Sequence, residues 1–312
     1  MATGQNSKIK LRNIFSAIRV IFGIFILVAL VYYIGTNNII SSIKSIKLYF
    51  FPIIVLFYFL FLLVSTLSIF VLLENQVSFF RLFKYYCISW VYGLILPGRI
   101  GEFSIIYFLK KEGIPPTSSF VVSLLDKFIT LLFFICITLI GSFLFFSTNQ
   151  AIYVGILLIS VLLCGILLPR TKIFLFFIPK KYKPFFYQYF EEYASFFKKH
   201  NRKKVYHNIL LTLVRWMLNS LLIFLIFLSF GISINIFYIL IINTMTALIS
   251  LVPITANGIG IRQSMGIYLF SKIDVTPTIA LNMYIISLSI TYLLAFFLYS
   301  YFSYFDGNGV RV

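Results

Sequence analysis

The chain has 312 residues, of which 61% are apolar, 20% aromatic and only 11% charged, with a mean hydropathy of +1.02. A soluble domain of this composition is excluded, because helices hydrophobic on every side would need covering surfaces that the sequence does not supply. The net charge of +18 does not point to nucleic acid: the basic residues gather in a few segments between apolar runs, where the positive-inside rule and an anionic leaflet account for them.

In chain order, residues 1–13 carry Lys8, Lys10 and Arg12 and should lie in the cytoplasm, ahead of an apolar run at 14–34. That run is followed by "GTNNIISS" with no small-residue cleavage signal, so it reads as a retained anchor. Further runs at 48–73, 117–146, 151–168, 207–230 and 278–302 each approach or exceed the roughly 20 residues a spanning helix needs. Six spans of this kind predict an all-α, polytopic transmembrane bundle, one integral membrane domain over residues 1–312.

Two other apolar runs fit poorly. Residues 85–96 give about 18 Å of helix, at about 1.5 Å per residue, too short to cross a bilayer, and the run stops at Pro97 and Gly98. Residues 236–252 stop at Pro253, followed by "ITANGIG" and a short apolar piece at 261–270. Both predict broken or re-entrant helical hairpins, over 85–109 and 236–270, since irregular backbone at membrane depth is tolerated only inside protein or along a wet cavity. Pro97, Gly98 and Gly101 break the first hairpin; Pro253, Gly258 and Gly260 break the second.

With each hairpin returning to its own side, the cytoplasm receives 1–13, 74–84, 110–112, 170–206 and the C-terminus with Arg311, while outer segments carry Lys44, Lys47 and Lys272 as their basic residues. This satisfies the positive-inside rule, with both termini cytoplasmic and the plasma membrane as the expected location. In the basic segment 170–206, "KKYKPFFYQYFEEYASFFKKHNRKK" interleaves aromatics with lysines, the pattern of an interfacial helix on anionic lipid rather than a nucleic-acid arm. Cys87, Cys136 and Cys164 lie in apolar runs as small hydrophobes. With His200 and His207 the chain's two histidines, no metal site is expected.

An internal repeat is visible. "LILPGRIGEFSIIYFLKKEGIPPTSSFVVSLL" and "SLVPITANGIGIRQSMGIYLFSKIDVTPTIALNMYIIS" share an order of features: an apolar run ending in Pro, a glycine-rich region with an Arg, a short apolar arm, a hydrophilic turn, a Pro-Thr and a full span. The halves, 48–146 and 207–303, are inverted in this topology, as in many secondary transporters.

The block "LPGRIGE", the following span with Asp126 and Lys127, and the block "NGIGIRQ" together resemble the lysylphosphatidylglycerol synthase transmembrane-region family of flippase-like membrane proteins, over nearly the whole chain. The resemblance implies an integral lipid-handling bundle. Members fused to a cytoplasmic aminoacyl-transferase domain make and translocate aminoacylated phosphatidylglycerol; stand-alone members are linked to translocation of lipids or lipid-linked saccharides. Pro97, Gly98, Arg99, Gly101 and Glu102 match the first signature, and Asn257, Gly258, Gly260 and Arg262 the second. The family usually has a Glu after the second Arg, where this chain has Gln263. The chain ends ten residues beyond Phe302, so no transferase domain is expected to follow and the synthase activity is not carried over.

A charged group at the membrane centre costs about 2.5 to 3.5 kcal/mol on insertion scales, so intramembrane charges are expected to pair or to face a wet cavity. Arg99 offers a planar fork of donors for phosphate, and Glu102, three residues on, neutralises it when no anion is present. The candidate substrate-binding set is Arg99, Glu102, Asp126, Asn257, Arg262 and Gln263. Beside it stands a structural reading in which Arg99 and Glu102 lock the hairpin, Asp126 pairs with Arg99 or Arg262, and Arg215 with Asn219 either extends the polar path or sits near the headgroups. The leading function is translocation of an anionic phospholipid or lipid-linked precursor. The alternative is a membrane-embedded transferase, or an accessory subunit of a lipid-modifying or glycosyl-transferring enzyme, with Glu102 or Asp126 as general base. With no nucleotide or metal motif, no cofactor is expected and lipid movement is downhill or ion-coupled. Membrane lipids with an anionic headgroup are the expected partners, and the sequence leaves a partner enzyme and a homo-oligomer equally open.

Overall fold

The structure, a computed structural model, describes residues 21–44, 46–74, 76–170, 183–195, 202–252 and 254–304, which are helical with short connections and contain no strand. Residues 1–13, much of the basic segment 170–206, Pro253 and the C-terminus with Arg311 lie outside the described residues. Helix α1, Ile21–Ile34, turns by 84° at Gly35 into α2, Thr36–Lys44. There follow α3 (Phe51–Leu72), α4 (Phe79–Ile95), a 3₁₀ segment at Pro97–Ser104, α5 (Ile105–Lys111), α6 (Pro116–Phe145), α7 (Thr148–Arg170), α8 (Lys183–Ser195) and α9 (Arg202–Ser229). The chain ends with α10 (Ile236–Ser250), a 3₁₀ turn at Ala256–Gly258, α11 (Ile261–Ser271) and α12 (Pro277–Tyr304).

Among the described residues four helices are long and apolar enough to cross a membrane: Leu48–Leu72, Pro116–Phe145, Arg202–Ser229 and Pro277–Tyr304. The α1–α2 pair makes a fifth if the bent pair is counted as one span, against the six spans read from sequence. The remaining run of the sequence reading, 151–168, lies within α7, which is helical over the 23 residues Thr148–Arg170.

These helices absorb many of their own hydroxyls. Ser65 donates to the Phe61 carbonyl at 2.6 Å, Thr66 to Leu62 at 2.9 Å, Ser123 to Ser119 at 2.8 Å and Ser220 to Trp216 at 2.9 Å. Each is a local bond along one helix, which satisfies a polar group where no water is at hand.

The chain forms two compact units. The first draws on residues up to Val55, Ser89–Glu102 and the chain from Leu222. Within it α10 packs on α11, α11 on α12 and α12 on α2. Phe227 meets Phe270 edge-on at 5.0 Å, Tyr92 meets Tyr299 at 6.2 Å, and the Asn282 amide donates to the Ile39 carbonyl at 3.3 Å. The second unit comprises Leu56–Ile88 and Phe103–Leu221. There α6 is the central element, packed by α5, α7 and α8, with Phe134 edge-on to Trp216 at 4.5 Å and Tyr85 of α4 stacked on Phe108 of α5 at 5.2 Å.

Candidate functional site

The first break begins where α4 ends. Gly98 (φ 65°, ψ 19°) and Arg99 (φ 57°, ψ 20°) both take the left-handed conformation. Glycine does so freely; for an L-residue such as arginine it costs about 1 to 2 kcal/mol. The reversal brings Gly101 back onto α4, where an added Cβ would lie 2.1 Å from the Tyr92 carbonyl oxygen and 2.6 Å from the Gly93 nitrogen. Gly93 is constrained in turn, since its own Cβ would stand 2.5 Å from Glu102 Cγ. Two glycines thus allow backbone to lie on backbone, and Glu102 is laid over the cleared surface of α4. Glu102 is 8% exposed. Arg99 Nη1 stands 3.5 Å from Glu102 Oε1, and a third of the Arg99 side chain is exposed. At that distance the contact is ionic rather than a short hydrogen bond, so the guanidinium keeps donors for another partner. Pro97 opens the 3₁₀ segment that carries this turn.

The second break uses the same backbone device with different chemistry. Asn257 (φ 49°), Gly258 (φ 72°) and Gly260 (φ 87°) are left-handed. A Cβ on Gly258 would sit 2.4 Å from Ser250 Cβ, and one on Gly260 would sit 2.7 Å from Ile26 Cβ and 2.8 Å from the Gly23 carbonyl oxygen of α1. The next helix, α11, is closed at its start by Gln263, whose Oε1 accepts from the Gly260 N–H at 2.6 Å. Gln263 is therefore buried and committed to the backbone. Arg262 donates from Nη2 to Asn243 Oδ1 of α10 at 2.8 Å. Gly266 of α11 clears the space filled by the Tyr284 hydroxyl of α12, where a Cβ would come within 1.9 Å.

Both breaks belong to the first unit, so Arg99, Glu102, Asn257, Arg262 and Gln263 share one compact body although more than 150 residues of chain separate them. Asp126 falls in the second unit, and its partner is a correction. The sequence pointed to Arg99 or Arg262; the structure pairs Asp126 Oδ2 with Arg215 Nη1 at 3.5 Å and with Lys127 Nζ at 3.8 Å. Asp126 is fully buried and Arg215 is 4% exposed. Asp126 Oδ1 accepts from Ser68 Oγ at 3.0 Å and Asn208 Nδ2 at 3.1 Å. Arg215 also donates to Thr130 Oγ1 at 2.6 Å and, more distantly, to Ser68 and Thr212.

Asn208, Ser68, Thr130, Thr212 and Asn243 were not singled out from sequence, yet a signal was present. Asn208, Thr212 and Arg215 are spaced i, i+4, i+7 on α9, and Ser119, Ser123, Asp126 and Thr130 are spaced i, i+4, i+7, i+11 on α6, a polar stripe along one face of each helix. Near the α5–α6 turn, Glu112 Oε2 meets Arg81 Nη1 at 2.9 Å while Tyr85 donates to Oε1 at 2.5 Å. The Tyr85 hydrogen bond, helped by Arg81 and partly opposed by burial, holds the Glu112 carboxyl below the usual carboxylate range. Glu74, just after α3, pairs with Lys204 at the start of α9.

The family model described as the lysylphosphatidylglycerol synthase TM region matches residues 17–298. No curated protein matches the chain.

Proposed function

From the premise that the chain belongs to the lysylphosphatidylglycerol synthase TM region family, and is thus an integral membrane protein of lipid metabolism or transport, we propose that it translocates an anionic phospholipid or lipid-linked precursor. The observation that carries this reading is Arg99: a left-handed arginine, a third exposed, beside a buried carboxylate at 3.5 Å. Non-glycine residues held in sparsely populated backbone regions cluster at functional sites, where the surroundings over-determine them. A purely structural ion pair needs no such backbone, since arginine on a regular helix reaches a carboxylate three residues away.

In this scheme a phosphate oxygen pair takes two donors of the Arg99 fork while Glu102 is displaced. When the headgroup leaves, Glu102 re-engages and keeps the arginine from standing unneutralised in an apolar wall. The second break adds Arg262, already oriented by Asn243, and the N-terminus of α11, whose dipole favours an anion. Both breaks lie at membrane depth, the two halves are inverted, both termini are cytoplasmic and the membrane is the plasma membrane. Labelling of cysteines placed at positions 150 and 198 checks that arrangement: opposite compartments support it, and the same compartment removes it.

The direct test is headgroup accessibility over time in vesicles containing the purified chain and a headgroup-labelled phosphatidylglycerol. Wild type should equilibrate the two leaflets faster than protein-free vesicles, and Arg99→Lys should be slower at unchanged thermal stability. Lipid movement at the wild-type rate in Arg99→Lys removes the headgroup role. Failure of Arg99→Lys to fold makes the pair structural.

A further inference from the structure

The second unit holds a polar centre that the translocation scheme does not use. Asp126 lies about a third of the way along α6, fully buried, and its two oxygens are treated differently. Oδ1 is saturated by Ser68 and Asn208, whereas Oδ2 accepts no hydrogen bond and faces only the charges of Arg215 and Lys127, at 3.5 and 3.8 Å. The Asn208 amide, also fully buried, gives Nδ2 to Asp126 Oδ1 and to the Ser68 carbonyl at 2.8 Å, and leaves Oδ1 with no hydrogen-bond partner. A buried acceptor without a donor costs about 1 to 3 kcal/mol. These two oxygens serve an always-ionised carboxylate poorly: Asn208 Oδ1 is such an acceptor, and Asp126 Oδ2 is met by ionic contacts alone.

They are a good design for one that gains and loses a proton. We propose that Asp126 is a reversible proton-binding site, with the Asn208 amide as the group that satisfies both of its states. In the ionised state the amide nitrogen donates to the carboxylate. When Asp126 takes a proton it becomes a donor, and rotation of the Asn208 amide presents the oxygen that is now without a partner. No other uncharged side chain in the cluster carries both a fixed donor pair and a fixed acceptor on one rotating group. Arg215 does not depend on Asp126 for its place, because the Thr130, Thr212 and Ser68 hydroxyls remain to accept from it after the aspartate is neutral. Protonation therefore takes the cluster of Asp126, Arg215 and Lys127 from one net positive charge to two without stranding the guanidinium. The proton is held at Oδ1, the oxygen that the Asn208 amide faces, while Oδ2 stays beside Arg215 and Lys127; it leaves from the same atom, and no other covalent bond is made or broken.

Other elements packed on α6 bring few competing charges. On α9, His207 points to its own helix at the Lys203 carbonyl. Lys204 is taken by Glu74. Lys110 and Lys111 of α5 are exposed, and Lys111 lies over the Tyr107 ring at 4.8 Å. Between Thr148 and Leu163, α7 has no charged residue. From α8 the titratable group on α6 is Tyr189, packed against Phe120 and pushed up to about 12 by burial. The charges that face Asp126 are thus Arg215 and Lys127.

Proton binding here deepens the translocation reading and, in its transport arm, rests on it: a proton that alters the charge of the bundle couples an imposed pH difference to movement of an anionic lipid. The experiment has two arms. Infrared difference spectra of the wild-type chain in phosphatidylcholine vesicles, titrated over the pH range in which thermal unfolding shows it folded, should contain a reversible protonated-carboxyl band that is absent from Asp126→Asn. In Asn208→Leu, close in shape but unable to bond, the band should move to higher frequency. If Asp126→Asn fails to fold, Asn208→Leu carries the assignment. No reversible band, or one unmoved by both substitutions, overturns the proposal. In the second arm, an imposed pH difference should change the rate of labelled phosphatidylglycerol movement at least threefold in wild type and not in the Asp126→Asn, Arg215→Gln double variant. A wild-type rate indifferent to the gradient overturns the coupling while translocation stands. No lipid movement in any sample overturns translocation, and the infrared band then decides the proton site alone.

Discussion

The two breaks are alike in backbone and unlike in charge. Each has two or more residues in the left-handed region and a glycine pressed onto a neighbouring helix, Gly101 on Tyr92 and Gly258 on Ser250. In the first, an arginine and a carboxylate three apart stand together and the arginine keeps exposed surface. In the second, the arginine is held by an amide and the position of the carboxylate is filled by a glutamine already bonded to Gly260. A break can thus be kept as architecture while its electrostatics are reassigned, and under the proposed translocation the first is the stronger anion site and the second its support.

The largest expected effect tests the shared architecture. Gly101→Ala drives a Cβ into backbone, which cannot turn aside as a side chain can, and should cost more than about 3 kcal/mol, read as lost yield or a lowered unfolding temperature in detergent. Gly113→Ala is its control: φ is +83° but nothing lies within 4 Å, so the cost is about 1 kcal/mol of backbone strain. Equal losses at the two glycines would mean that close packing at the first break is not what holds it.

Next comes the asymmetry of charge. In the proposed scheme Arg99→Lys loses one charge-assisted bond of the bidentate headgroup contact, about 1.5 to 3 kcal/mol, and should slow labelled lipid movement roughly tenfold or more. Arg262→Lys still donates to Asn243 and should slow it by less than about threefold. The reverse order would make the second break the leading site. Smaller still is Gln263→Glu, which restores a carboxylate at the start of α11. It still accepts the Gly260 N–H and sits at a helix N-terminus, which offsets its burial, so thermal stability should move by no more than about 1 kcal/mol. A larger loss would show that the neutral side chain is required there.

The smallest effect lies at the end of the first hairpin. Because the folded-state carboxyl of Glu112 is depressed, its contribution is present above the ordinary carboxylate range and is lost as pH falls through the folded value. With Arg81 largely exposed, this amounts to about 0.5 kcal/mol. Unfolding temperatures of wild type and Glu112→Gln should therefore converge between about pH 6 and about pH 3, at the acid end. A constant difference would assign the hairpin's closure to the Tyr85–Phe108 stack instead.

The helices were legible because long uninterrupted apolar runs leave a chain no other way to satisfy its backbone. The breaks were legible because "LPGRIGE" and "NGIGIRQ" interrupt such runs with glycine. What was not legible was pairing. Nothing in the sequence ties residue 126 to residue 215, and an arginine at a break looked the nearer partner; the choice is made by the packing of α6, α9 and α3, which local pattern does not encode. The polar stripes of α6 and α9 were a signal left unused: they mark one face of each helix without saying which faces meet.

The glycine contact at Gly101 also has a mechanical side. A corner built from flexible residues with space around them acts as a hinge, whereas one whose inner face is carbonyl against Cα has no room to close further and loses contact if it opens. The first break is therefore a stiff elbow. The end of α4 and the chain carrying Glu102 must travel as a single lever, and under the proposed translocation the rearrangement that passes a lipid has to be absorbed by sliding between packed helices rather than by flexing at the bend.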